Sequence, residues 1–146
     1  MPGLKKILAY TDGASRGNPG EGAIGILLLD ENRSKLKEHA ECIGRTTNNK
    51  AEYTALIKAL ELAAEFTVKE VLCFCDSELV VRQAKEIYKI KNKQLKLLYK
   101  ELKEKEKSFE KVSYDNLPRS GKNIRYVDRL LNRELDRKEK VTRQRL

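Results

Sequence analysis

Residues 5–12, KKILAYTD, and 23–29, AIGILLL, are short aliphatic runs bounded by glycine or by the turn-forming stretch Asp30-Glu31-Asn32-Arg33-Ser34, and each predicts a strand. Residues 35–43 predict a third, so the chain opens as an antiparallel meander. Over residues 48–66 the period changes. Leu56, Ala59, Ala63 and Phe66 recur at helical spacing with Ala55 and Leu62 beside them, the mark of an amphipathic helix. Residues 71–75 form a continuous apolar run, as in a strand covered on both faces, and Ser77 opens a capped helix that should reach about Tyr88. A further helix is predicted over 95–107, a last strand over 109–117, a loop over 118–122 and a closing helix from 123 to about 138. The order βββαβααβα predicts an α/β domain, a mixed sheet with helices on both faces.

Four acids interrupt these patterns. Glu52 lies on the stripe of Leu56, Ala59, Ala63 and Phe66, in steps of four, three, four and three, so its side chain should point at the sheet. The competing use is local, with Asn49 as N-cap and Glu52 closing a capping box three residues on. Asp128 stands among Ile124, Leu131 and Leu135, where an unpartnered buried anion is costly; the alternative is a helix-edge acid near Arg125 and Arg129. Asp12 and Asp76 end predicted strands, in Tyr-Thr-Asp-Gly and Cys-Phe-Cys-Asp-Ser. A turn or an N-cap accounts for either, yet ligands of open α/β sheets bind outside the carboxyl ends of the strands, where two such acids would meet.

Four converging carboxylates would repel one another severely without cations, and hard oxygen donors suit Mg²⁺ or Mn²⁺. A tetrahedral zinc set is lacking: His39 is the lone histidine, read as a surface strand residue, and Cys73-x-Cys75 has no second thiol pair. Cys42, Cys73 and Cys75 are read as core. With one histidine far from any candidate nucleophile, a Ser/His/Asp or Cys/His triad has no support.

Composition bounds the setting. The 146 residues, 40% apolar, suit a single domain, with a core over about 5–138 and a basic tail over 139–146. Three cysteines argue against a disulfide framework and for a reducing, cytoplasmic compartment. MPGLKKILAY has too short an apolar stretch for a signal peptide, and no run approaches the roughly 18 apolar residues of a membrane span. The 31 Lys and Arg against 22 Asp and Glu leave +9, a field that attracts polyanions such as nucleic acid. Solubility, or the Lys and Glu enrichment of proteins from hot environments, accounts for the same charge.

Five of the eight glycines fall between positions 13 and 25. Gly20-Glu21-Gly22-Ala23-Ile24-Gly25 matches the letters of the dinucleotide fingerprint, but it leads into a strand where that fingerprint opens a helix. The bare backbone either admits a bulky ligand closely or serves a tight hairpin at Asn18-Pro19-Gly20.

In order along the chain, Tyr-Thr-Asp12-Gly-Ala-Ser-Arg-Gly-Asn-Pro-Gly, then Gly-Arg45-Thr-Thr-Asn-Asn-Lys-Ala-Glu52-Tyr, then Cys-Asp76-Ser-Glu-Leu-Val-Val and Val-Asp128-Arg-Leu-Leu-Asn resemble the motifs of type 1 ribonuclease H, over residues 7 to about 135. The resemblance implies a ribonuclease H-like fold, a five-stranded mixed sheet of order 3-2-1-4-5 flanked by helices. It implies cleavage of the RNA strand of RNA/DNA hybrids by a two-metal route with Mg²⁺ or Mn²⁺, leaving 5′-phosphate and 3′-hydroxyl ends. By motif position Asp12 would bridge both ions, Glu52 and Asp76 would complete one site and Asp128 the other, with Glu52 also sensing the 2′-hydroxyl. Gly13, Asn18, Asn48 and Asn49 match substrate-contacting positions, the asparagines in the minor groove of the hybrid, while Arg45 and Thr47 match positions that grip a DNA phosphate.

Residues 89–111 carry nine Lys against four Glu around a stripe of Leu95, Leu98 and Leu102, and the resemblance puts them near the substrate-binding ridge, without the long basic protrusion of some relatives. Many relatives carry a histidine before the loop into the last helix; here the stretch is Asn116-Leu-Pro-Arg119. Asn116 is no general base, and activity is expected to survive with Arg119 or Lys122 supplying charge. The expected partner is an RNA/DNA hybrid and not a membrane, and the expected state a monomer. Two other readings stay open at this point. One is a hybrid-binding module without turnover; the other is a DNA nuclease of the same fold, such as a junction resolvase or integrase core, against which Asn48-Asn49 speaks.

Overall fold

In the computed structural model, which describes residues 3–145, the first strands form the expected meander: β1 (Lys6–Gly17), β2 (Gly20–Leu29) and β3 (Lys35–Thr46), each antiparallel to the one before. β1 runs past its expected end at residue 12 because the glycine-rich stretch keeps pairing, Gly13 with Ile24 and on to Gly17 with Gly20. The chain then crosses through α1 (Asn48–Ala63) to β4 (Glu70–Cys75), through α2 (Glu78–Ala84) and α3 (Lys93–Glu106) to β5 (Lys111–Asn116), and closes with α4 (Lys122–Gln144). β4 lies parallel to β1 and β5 parallel to β4. The sheet is five-stranded and mixed, in the order β3-β2-β1-β4-β5.

Both faces of β1 and β2 are covered, which is why they read as continuous apolar runs. Ile7 and Ala9 face a core with Tyr53, Leu56 and Leu60 of α1 and Leu95 and Leu102 of α3. Leu8 and Tyr10 face Ile124, Val127 and Leu130 of α4. Farther along α4, Leu131 and Leu135 are fully buried against Ala23, each adding about 1.5–3 kcal/mol of burial.

Two glycines set how close the helices come. A Cβ on Gly13 would lie 2.2 Å from the carbonyl carbon and oxygen of Ala51, and one on Gly25 would lie 2.3 Å from the carbonyl oxygen of Val127. The space that the sequence left for either a ligand or a hairpin is therefore filled by α1 and α4 at these two positions.

Three helices also differ from expectation. α2 stops at Ala84, short of residue 88, because Glu86 turns to φ 65° and the N–H groups of Ile87 and Tyr88 fold back onto the Arg82 carbonyl. α4 continues through Gln144, so residues 139–144 of the expected tail are helical, and Leu146 lies outside the described residues. On α3 the stripe of Leu95 and Leu102 is buried, but Lys103 turns inward and donates to the Ala84 carbonyl at 2.7 Å.

Candidate active site

Ladder pairing between β1 and β4 ends at Tyr10 and Phe74. Asp12 and Asp76 each stand two residues beyond that last pair; Asp76 follows the end of β4, whereas Asp12, expected to end its strand, lies inside β1, where it still pairs with Gly25 of β2. β1 is also where the antiparallel half of the sheet meets the parallel half, and a crevice opens where such neighbouring connections diverge.

The local alternatives for these acids are taken by other side chains. Ser77 caps α2, its Oγ accepting from the Val80 N–H at 3.2 Å, so the Asp76 carboxylate is not spent on the cap. Thr47 caps α1, its Oγ1 accepting from the Lys50 N–H at 3.3 Å. The Asn49–Glu52 capping box expected as one alternative does not form, and Glu52 instead accepts from the Gly13 N–H across the gap between α1 and β1. Asp12 and Glu52 are buried, and Asp12, Glu52 and Asp76 each bring a carboxylate oxygen within 4.8 Å of the others.

Asp128 departs from its expected buried slot. The buried line of α4 passes through Ile124, Val127, Leu131 and Leu135, with Asp128 exposed on its flank. It lines the same crevice of about 400 Å³ from its exposed rim, close enough to Asp12 to perturb it.

Burial pushes the Asp12 carboxyl far above the usual range, and the charges of Glu52, Asp76 and Asp128 push the same way. Burial and the Asp76 charge also raise Glu52, opposed by the Gly13 N–H. Buried carboxylates that hold protons this tightly have an unmet need for positive charge, and their all-oxygen donor set suits a hard divalent cation. The residues fit such an ion. Carboxyls whose folded pKa is raised bind protons more tightly folded than unfolded, so their contribution is complete below the unfolded value and is lost as pH rises through the folded one. For Glu52 that window runs from 4.5 to about 8. Metal-free protein should therefore melt at a lower temperature at pH 8 than at pH 5 by calorimetry, and Mn²⁺ should close the gap. Equal melting temperatures without metal would contradict the crowding of charge.

The remaining candidates fall into three groups. Gly13, Asn48, Asn49 and Arg119 line the acid crevice. Asn18 and Thr47 line a second groove of about 410 Å³, reached around the start of α1 through Asn48 and Asn49, which line both. Asn48 ties the two together: its Oδ1 accepts from the Ser15 N–H at 2.9 Å, and its own N–H donates to Asn18 Oδ1 at 3.0 Å. Arg45, Asn116 and Lys122 are exposed and lie outside the residues lining either groove. Arg119 donates through Nε to Asp76 Oδ2 at 3.1 Å.

Sequence reasoning missed Arg16 and Asn132, which line the crevice, and Asn92 and Gln94, which line the second groove. Arg16 and Asn132 stand inside two of the ordered motifs, a signal that could have singled them out, whereas nothing in the local sequence marks Asn92 or Gln94. His39 is half-buried on β3, 3.5 Å from Glu41, and Cys42 is half-buried, whereas Cys73 and Cys75 are core as expected. Among the described residues no helix is long and apolar enough to cross a membrane.

The profile of the Reverse transcriptase-like family matches residues 10–133. The chain is 39% identical over 131 residues to the ribonuclease HI of Halobacterium salinarum, covering 90% of this chain and 65% of that protein. It is 36% identical over 132 residues to a bifunctional protein of Mycobacterium tuberculosis, of which it spans 36% of the length and 90% of its own. The solved N-terminal RNase H domain of that mycobacterial protein superposes with a TM-score of 0.87 at 35% identity, covering 94% of this chain and 98% of that one. LC11-RNase H1, solved in complex with an RNA/DNA hybrid, superposes at 0.82 with 39% identity, covering 90% of this chain and 97% of that one. Sheet order, the acids at its carboxyl edge and these similarities agree, and the chain belongs to the type 1 ribonuclease H family.

Proposed function

We propose that this protein is a metal-dependent endoribonuclease that hydrolyses the RNA strand of RNA/DNA hybrids, leaving 5′-phosphate and 3′-hydroxyl ends. The observation that carries the reading is the meeting of Asp12, Glu52 and Asp76, from the middle of one strand, a helix start and the end of a second strand, in a crevice that Asn48 and Asn49 also line. Two Mg²⁺ or Mn²⁺ ions among the four carboxylates would supply an activated water and charge stabilisation for the leaving 3′ oxygen.

The chain's own groups do the positioning. Asp12 is perturbed by Glu52, Asp76 and Asp128 alike, and this contact with all three other acids supports a role for it at both ion positions. The Gly13 N–H holds Glu52 in one orientation before anything binds, which lowers the reorganisation needed at the site. Asn48, Asn49 and Asn18 offer donors and acceptors to minor-groove edges and 2′-hydroxyls, the group that separates RNA from DNA. Thr47 and the exposed Arg45 stand beside them for a phosphate of the DNA strand.

Labelled hybrid incubated with the protein and Mg²⁺ or Mn²⁺ should yield RNA fragments that vanish with chelator. Hybrid bound but never cut would support a binding module instead, and cutting of duplex DNA would support a DNA nuclease. Arg119 takes the place of the histidine of many relatives as a cation beside Asp76. Arg119→Ala is expected to tighten Mn²⁺ binding, since a competing positive charge is removed. It should also slow cleavage at saturating metal by roughly 10-fold, since a cation near the reacting phosphate is lost. Titration calorimetry and single-turnover rates would check both signs.

A further inference from the structure

Of the four acids, Asp128 is the one held least directly. It is exposed; its neighbours Ile124, Val127 and Leu130 pack on the sheet, while the turns of α4 that follow pack through Leu131 and Leu135 on the small cluster with Ala23. What else fixes that stretch of α4 is a guanidinium from the other side of the crevice. Arg16, next to last in β1, donates through one terminal nitrogen to Asn132 Oδ1 at 3.1 Å and lies 2.7 Å from Asp136 Oδ1 with the same nitrogen. Its other terminal nitrogen donates to Glu139 Oε1 at 2.7 Å. Asn132 in turn donates through Nδ2 to the backbone carbonyl of Asp128 at 2.9 Å. A continuous polar chain therefore runs from the end of β1, four residues past Asp12, to the main chain of Asp128.

We infer that Arg16 is a positioning residue for Asp128: it clamps α4 to the β1–β2 hairpin and holds the rim carboxylate at the distance the metal site requires. Exposed ion pairs contribute little to stability. A planar guanidinium gripping three side chains instead sets geometry, which a flexible ammonium does not reproduce. The grip also draws on Asp136 and Glu139, the second of which Arg143 approaches at 3.5 Å from the next turn of α4. The inference rests on the metal-dependent reading above, and on Asp128 acting as one of its ligands.

The test is a double-mutant cycle read by Mn²⁺ titration calorimetry of the intact chain, with melting temperature recorded alongside. Wild type should bind Mn²⁺, and a wild type that binds none would overturn the metal-dependent reading itself. Asp128→Asn should weaken binding. Arg16→Met should weaken it in the same direction, by about 5- to 20-fold, and should add little in the Asp128→Asn background. Arg16→Lys should restore only part of the affinity, and in hybrid cleavage Arg16→Met should lower kcat more than it raises KM. Additive effects in the cycle, or Mn²⁺ affinity unchanged in Arg16→Met, would overturn the inference, as would an unaltered affinity in Asp128→Asn. Should Arg16→Met fail to fold, Asp136→Asn and Glu139→Gln each release one arm of the clamp and are held to the same criterion.

Discussion

Asp12→Asn is expected to abolish metal-dependent cleavage and, in the absence of metal, to raise the melting temperature. Both effects come from one feature. Asp12 is 7% exposed and is crowded by Glu52, Asp76 and Asp128, so its carboxylate is the group that an ion would stabilise most and that the metal-free fold tolerates least. Asparagine keeps the shape and removes the charge. Losing a partner that merely orients a metal ligand commonly costs 10–100-fold, and a ligand shared between both ions should cost about 10³-fold or more. The melting temperature of wild type should rise on adding Mn²⁺, and that of Asp12→Asn should barely move, because binding to the folded state is what stabilises it. Cleavage surviving in Asp12→Asn would sink the assignment of the crevice as the active site.

Gly13→Ala should be nearly as damaging by a different route. Its new Cβ would sit 2.2 Å from the carbonyl group of Ala51 and 2.5 Å from the Glu52 nitrogen, all main-chain atoms that cannot rotate away. The first turn of α1 would have to withdraw from β1, taking Glu52 with it and stretching the bond from the Gly13 N–H. Overpacking of this kind costs about 1–3 kcal/mol, and a shift of about 1 Å in a catalytic group can cost about 10²-fold in rate. Urea denaturation and Mn²⁺ titration should both show the loss. Gly3→Ala, whose Cβ would meet nothing within 4 Å, should be silent in both. Full stability together with full metal affinity in Gly13→Ala would mean that α1 is not held at contact distance.

The stretch from Asn116 to Lys122 illustrates how far the residues alone could be read. The sequence marked the missing histidine and offered Arg119 or Lys122 as the compensating charge; in the fold Arg119 faces Asp76, while Lys122 starts α4 outside the crevice lining. The asparagines show the opposite outcome. Asn49 looked like the cap of α1, but Thr47 caps it, and Asn48 ties the helix start to Ser15 and Asn18 instead. A cap is decided by which oxygen reaches the second or third N–H, and adjacent polar residues compete for that place on near-equal terms. Arg16 and Asn132 stand inside two of the ordered motifs, but their contact had no signal, since they meet across 116 residues of chain.

What the sequence by itself determined is whatever depends on short-range period: the strands and helices and their order, Asp76 at the end of its strand, and Glu52 on the sheet-facing stripe of its helix. Four ordered motifs then pointed to the family, and with it the sheet order. The tertiary structure alone decided which carboxylates come within 4.8 Å of one another, that Asp128 sits on the rim, and that Gly13 and Gly25 make room for helices. The physical reason is that periodicity encodes which face of an element is buried, whereas burial depth, pKa and the partner of a charge depend on atoms far away in the chain, whose approach is set only when the helices close on the sheet.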